Sequence, residues 1–202
     1  PHVPVAETAR AMERLHRDGR IRAVGVSNFG PEQLDAFRGV APLHVVQPPL
    51  NVFERGAQKD VLPYCERHGL ATLTYGVLCR GLLSGAMDRS RVFHGDDLRR
   101  NDPKFRAPRF DQYLAAAEEL DAFARESYGR GIRELAVRWA LDQPGVTTVL
   151  WGARRPDQLD GLDGALGWSL DDDALARIDA IVAGNVTDPV GPEFMAPPAR
   201  ES

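Results

Sequence analysis

The chain has 202 residues, with 25 Lys plus Arg against 29 Asp plus Glu and a formal net charge of −4. That acidic balance argues against nucleic acid as a partner, and 43% hydrophobic with 27% charged residues is the composition of a globular domain that buries a core. No apolar run of about 18 residues suits a membrane span, no basic-then-apolar leader opens the chain, and Cys65 and Cys79 are too few for a disulfide scaffold or a zinc site. A cytoplasmic protein without metal or membrane contact is expected. Pro1 in place of Met, followed almost at once by a helical pattern, reads as a chain that starts in the middle of a fold.

From Val5 to Gly19, apolar Val5, Ala9, Met12 and Leu15 recur every three or four residues, which predicts an amphipathic helix. Ile21 to Val26 then forms a short β-branched run, a buried strand closed by the polar turn Ser27-Asn28. The alternation returns with a helix over Pro31–Arg38, a strand over Leu43–Gln47, a helix over Lys59–His68 and a strand over Leu70–Tyr75. Pro31 suits a first helical turn and Gly69 a helix end. Further helices are predicted over Asp111–Tyr128, Gly131–Leu141 and Leu170–Ala183, a fourth strand over Val146–Leu150, and a helix beginning at Pro156–Leu162. Strands separated by helices imply parallel pairing with right-handed crossovers. Four such strands are half of an eight-stranded barrel, which takes about 250 residues; periodicity alone also allows an open doubly wound sheet.

Two stretches break the rhythm. Residues 80–110 show no sustained period, and a loop of that length is usually functional or disordered. It carries eight Lys and Arg against four Asp, so it stands at +4 in a chain of −4 and suggests an anion partner. Incidental charge on a solvated loop is the competing reading. Residues 186–202, with four prolines, are expected to form an extended tail.

In parallel α/β folds, ligands bind at the carboxyl ends of the strands. That rule selects Ser27-Asn28, Gln47, Tyr75-Gly76 and Gly152-Ala153-Arg154. Amide side chains could meet a nicotinamide carboxamide, an aromatic ring could stack on the nicotinamide, and guanidinium groups could pair with phosphate. Each residue also has an ordinary structural use: Asn28 as a cap or turn, Gln47 as a strand end, Tyr75 as core packing, Arg154 as solvated surface. Their convergence at equivalent places argues for a site. Residues 79–85 and 152–156 are glycine-containing and basic, which suits phosphate, and the charge of Arg154 or Arg155 favours NADPH over NADH. A Gly-x-Gly-x-x-Gly and a Walker sequence are both absent.

The strings GVSNF (25–29), VVQ (45–47), YGVLCRGLLSG (75–85), LAVRW (135–139) and GARRPDQL (152–159) together resemble the aldo-keto reductase family. The CRGLL form, GDDLR (95–99) and the tail 188–198 are closest to bacterial members of the general-stress and inositol-linked type. The resemblance implies an α/β chain that is the C-terminal half of a (β/α)8 TIM barrel, residues 1–202 forming an NADP-dependent oxidoreductase domain incomplete at its N-terminus. It implies NADPH (NADP+) as cofactor: Ser27, Asn28 and Gln47 on the carboxamide, Tyr75 stacked on the nicotinamide, and Gly76, Val77, Leu78, Cys79 and Arg80 along the pyrophosphate. Gly152, Ala153, Arg154 and Gln158 would hold the 2′-phosphate and adenine end, and Arg99 in the 80–110 loop would close over the cofactor. Gly161 and Leu162 stand where the family usually has acidic and Asn residues near the adenine.

The family's catalytic Asp, Tyr, Lys and His come from earlier strands, so no catalytic residue is assigned to this chain. Lys59 is expected on a surface helix and Lys104 in the loop, neither of them buried, and Tyr64, Tyr113 and Tyr128 on helices. The implied activity is reduction of small-molecule aldehydes or ketones, with this chain supplying the cofactor half and inactive alone. A missing N-terminal half or self-association is the expected partner; a non-catalytic NADPH-binding module is the alternative.

Overall fold

The computed structural model describes residues 3–191. Four parallel strands, β1 (Gly25–Ser27), β2 (Val45–Gln47), β3 (Ala71–Thr74) and β4 (Thr148–Val149), pair in chain order. Their register sets Ser27 against Gln47 and Val46 against Thr72, with Leu73 against Thr148. Six helices accompany them: α1 (Val5–Arg17), α2 (Pro31–Arg38), α3 (Val61–Arg67), α4 (Arg109–Tyr128), α5 (Ile132–Leu141) and α6 (Asp172–Asn185). The expected parallel α/β order is thus present, with the strands shorter than their apolar runs. The residues lost lie mostly at the amino ends, away from the rim, where Val24 precedes β1 and is still buried in the core.

Local chemistry accounts for most boundaries. Pro31 opens α2, and Gly30 N donates to Gln33 Oε1 at 3.2 Å, satisfying a donor the helix leaves open. Asp171 caps α6 by accepting from Ala174 N at 2.8 Å. Gly129, at φ +63°, ends α4 in the left-handed region where a side chain is disfavoured. The expected helix from Pro156 is corrected to two short 3-10 turns, Pro156–Leu159 and Leu162–Ala165, separated by Gly161 at φ +78°. A left-handed glycine between them stops helical propagation.

The core is continuous from α1 to α6. Leu34, Val46, Leu62, Leu120, Trp139 and Ile178 are all buried in it, and α4 packs on both α5 and α6. Thr72 fastens β4 beside β3: its Oγ donates to Gly145 O at 2.8 Å and accepts from Thr147 N at 2.8 Å. Of the expected tail, residues 186–191 lie along α4, where Val190 N donates to Tyr113 Oη at 2.9 Å; the rest is outside the described residues. Up to the start of α4 at Arg109, residues 80–110 hold only the 3-10 turns Cys79–Gly81, Leu98–Arg100 and Pro103–Phe105, as their lack of period implies. They are not simply a solvated loop, because Asp102, Lys104 and Phe105 are buried.

Candidate functional site

The carboxyl ends of the strands form one rim. Asn28 follows β1 at φ +60°, a left-handed position that Asn tolerates better than most side chains, and its backbone N–H donates to Gln47 O at 3.3 Å. Ser27 Oγ donates to the same carbonyl at 3.0 Å. Beyond β3, Tyr75 bridges to Pro49 and its hydroxyl donates to Asn28 Oδ1 at 2.8 Å. Burial pushes the Tyr75 phenol above its ordinary range, so it stays protonated near neutral pH.

A groove of about 1270 Å³ opens over the ends of β3 and β4 and under residues 80–99. It exceeds the roughly 300–1,000 Å³ typical of small-ligand pockets. Tyr75, Gly76, Val77, Leu78, Arg80, Arg99, Gly152, Ala153, Arg154 and Gln158 line it, so ten of the residues singled out from the sequence share one wall. Ser27, Asn28 and Gln47 do not line it; they adjoin it through the Tyr75–Asn28 bond. The expected alignment of Cys79 with the groove is corrected: its side chain is fully buried and its Sγ faces Glu54 Oε2 at 3.7 Å. With a backbone φ of +45°, Cys79 turns inward while Arg80 turns toward the groove.

The groove is cationic. Arg80, Arg91, Arg99, Arg133, Arg154 and Arg155 line it against Asp96, Asp97 and Asp157, a surplus of three positive charges that suits a polyanion. Several arginines are already oriented. Arg99 grips Asp97 with two bonds of 2.9 and 2.5 Å and lies over the Phe93 ring at 4.4 Å, and Arg155 pairs with Asp157 at 3.0 and 2.9 Å. The Arg99 hydrogen bonds hold the Asp97 carboxyl down at about 2. Gln158 shapes the 152–158 turn by accepting from Arg154 N at 2.6 Å and Arg155 N at 3.3 Å. Among the described residues, the Arg154 guanidinium itself makes no hydrogen bond or ion pair.

The expectation that neither lysine is buried is overturned for Lys104. Its side chain is 0% exposed, with Nζ 2.7 Å from Glu54 Oε1 and 3.0 Å from Asp102 Oδ2. Burial pushes its ammonium down, but the acidic groups around it, Cys79, Glu54 and Asp102, outweigh burial and hold it above its ordinary value. It does not make an acidic phenol: burial raises both Tyr75 and Tyr113. Sequence reading also missed Asn51 and Glu54 behind the wall, and Asp97, Arg133 and Trp151 within it. The only available signal for the first pair was two polar residues inside an otherwise apolar run, LNVFE (50–54).

Parallel strands alternating with helices, with a cationic groove at their carboxyl ends, define a protein of the βα class. Within that class, the family model for the aldo/keto reductase family matches residues 1–183, and the chain belongs to that family. Its members act on small-molecule carbonyl compounds with nicotinamide cofactors. The chain is 54% identical over 201 residues to aldo-keto reductase YhdN of Bacillus subtilis (strain 168), covering 100% of itself and 61% of that protein. It is 28% identical over 169 residues to the NADH-specific methylglyoxal reductase of Escherichia coli (strain K12), covering 84% of itself and 51% of that enzyme. Among solved structures, the glycerol dehydrogenase AKR11B4 from Gluconobacter oxydans superposes with a TM-score of 0.86 at 53% identity, over 96% of this chain and 59% of that one. The chain therefore spans about three fifths of the length of these two proteins, YhdN and AKR11B4.

Proposed function

We propose that this chain is the cofactor-binding C-terminal half of an NADPH-dependent reductase of aldehydes or ketones, built as a (β/α)8 barrel whose earlier strands supply the proton donor. The observation that carries this reading is the arginine-rich groove of about 1270 Å³ at the carboxyl ends of β3 and β4. Its donor set fits a dinucleotide: guanidinium groups from both the 80–99 and the 152–158 segments for phosphates, and a tyrosine ring after β3. When bound, the nicotinamide supplies a hydride to the carbonyl carbon.

The chain's own residues bind and orient. Ser27, Asn28 and Gln47 would hold the carboxamide, with Tyr75 flat against the ring and its hydroxyl anchored on Asn28. The 76–80 turn would carry the pyrophosphate, and Arg99, already braced by Asp97 and Phe93, would close the groove and exclude water. Arg154 is the group for the ribose 2′-phosphate, since no carboxylate among the described residues grips its guanidinium as Asp97 and Asp157 grip those of Arg99 and Arg155. The name of the Escherichia coli relative specifies NADH, so cofactor choice is the point to test. Titration of the complete protein with NADPH and NADH, followed by tryptophan fluorescence, should give micromolar binding with NADPH tighter. Equal or NADH-favouring affinities would remove the 2′-phosphate assignment; binding without turnover of any aldehyde would favour a non-catalytic module.

A further inference from the structure

Among the described residues, the buried charged side chains are Glu54, Asp102 and Lys104, and they meet in one cluster behind the groove wall. Each carboxylate reaches a second partner. Glu54 Oε2 accepts from Asn51 Nδ2 at 2.6 Å, and the same Nδ2 donates to Gly76 O at 3.1 Å. Asp102 Oδ2 accepts from Arg80 Nη1 at 3.2 Å. One ammonium thus connects three segments distant in sequence: 51–54, 76–80 and 102–104.

The segment it restrains is held in an unfavourable conformation. Cys79 and Arg80 have φ of +45° and +52°, and Gly81 follows at +100°. Left-handed non-glycine residues persist only where their surroundings over-determine them. A buried ion cluster is itself a poor source of stability, because desolvation offsets most of its attraction. Its position directly behind a strained turn in the wall of a groove therefore points to a geometric role.

We propose that Lys104 is a positioning residue: through Glu54 and Asp102 it holds the 76–81 turn and the Arg80 guanidinium in the shape that receives the bridging phosphates of a dinucleotide. The proposal rests on the reading of the groove as a dinucleotide site. Lys104 does not line the groove and touches no ligand. A lysine that only balanced charge for folding would affect every ligand through loss of folded protein. A positioning lysine affects those ligands that span the turn.

The test uses the complete protein and three probes: NADPH, NADH and adenosine 2′-monophosphate, which reaches only the 152–158 end. Lys104→Met should weaken both dinucleotides by the same factor, about tenfold, and leave adenosine 2′-monophosphate within about twofold. The double variant Lys104→Met/Glu54→Gln, neutral at both positions, should regain melting temperature without regaining dinucleotide affinity. Dinucleotide binding within about twofold of wild type in Lys104→Met, equal weakening of all three probes, or recovered affinity in the double variant would each overturn the proposal. Should Lys104→Met fail to fold, Asp102→Asn keeps the Lys104–Glu54 pair and unties Arg80; about a fivefold loss for the dinucleotides is expected, and unchanged affinity is contrary. A wild-type protein that binds adenosine 2′-monophosphate but neither dinucleotide removes the groove reading and this proposal with it.

Discussion

At the scale of single residues, the groove owes its sign to arginines, of which Arg80, Arg99 and Arg155 are held by carboxylates and, among the described residues, Arg154 is not. Arg154→Glu replaces attraction to a ribose phosphate by repulsion, and a charge-assisted hydrogen bond contributes about 1.5–3 kcal/mol. NADPH affinity should therefore fall at least about tenfold while NADH changes much less. Paired equilibrium titrations check this, and equal losses would move the phosphate contact elsewhere. Asp97 gives a pH prediction. Its folded pKa of about 2 lies below its ordinary 3.8, so its contribution to stability is complete above the ordinary value and is lost as pH falls toward 2. Asp97→Asn should flatten that part of an acid unfolding curve followed by circular dichroism. An unchanged acid limb would mean that the Asp97–Arg99 pair contributes nothing measurable.

Which of these residues were legible in advance follows from what each depends on. Tyr75, Arg80, Gly152 and Arg154 sit next to strand ends, and strand ends are read from local apolar runs. Lys104 was misread because nothing near it in sequence announces burial. Its partners Glu54 and Asp102 come from a different loop and from an adjacent turn, and only the folded chain brings 51–54 against 102–104.

Among the elements, the junction between α5 and β4 runs close against α3. A Cβ at Gly145 would lie 2.9 Å from Leu62 O, and the residue has φ +78°, so steric and conformational costs add there. At Gly129, with φ +63°, a Cβ meets nothing within 4 Å and only the conformational cost applies. A left-handed side chain costs about 1–2 kcal/mol. Gly129→Ala should therefore destabilise by about 1 kcal/mol and Gly145→Ala by about 2 kcal/mol or more, the latter lowering the melting temperature by about 4–8 °C at this chain size. Calorimetry on both variants isolates the clash as the difference. Equal effects would show that the Leu62 carbonyl yields, and with it the placement of β4 beside β3. That placement matters to the groove, because Leu150 N donates to Thr74 O at 2.8 Å immediately before the 151–158 wall.

At the scale of the whole molecule, β1 pairs only with β2 and β4 only with β3 among the described residues. Two open edges of a parallel sheet are a template for further pairing. The 202-residue chain expressed alone is expected to self-associate, and light scattering across a concentration series checks it; a monomer throughout would contradict the edge argument. The same isolated chain is expected not to oxidise NADPH in the presence of an aldehyde, since the proposed reaction needs a proton donor from the preceding strands. Measurable turnover would show that the donor lies within these residues.

The order of the four strands and of every helix but the one expected from Pro156 followed from local periodicity, which needs no knowledge of distant residues, and the alternation of the two implied the parallel pairing and the carboxyl-end rim. Glycine and proline positions likewise marked most boundaries, because they act through the backbone they belong to. Tertiary structure alone decided that residues 80–110 pack inward at Asp102, Lys104 and Phe105, that Cys79 faces Glu54 while Arg80 faces the groove, and that the amide groups of Asn28 and Gln47 stand beside the groove rather than in it. The physical reason is one of range. Backbone propensity and apolar spacing act over a few residues, whereas the energy of a buried charge is settled by whichever groups the finished fold sets within about 3 Å of it.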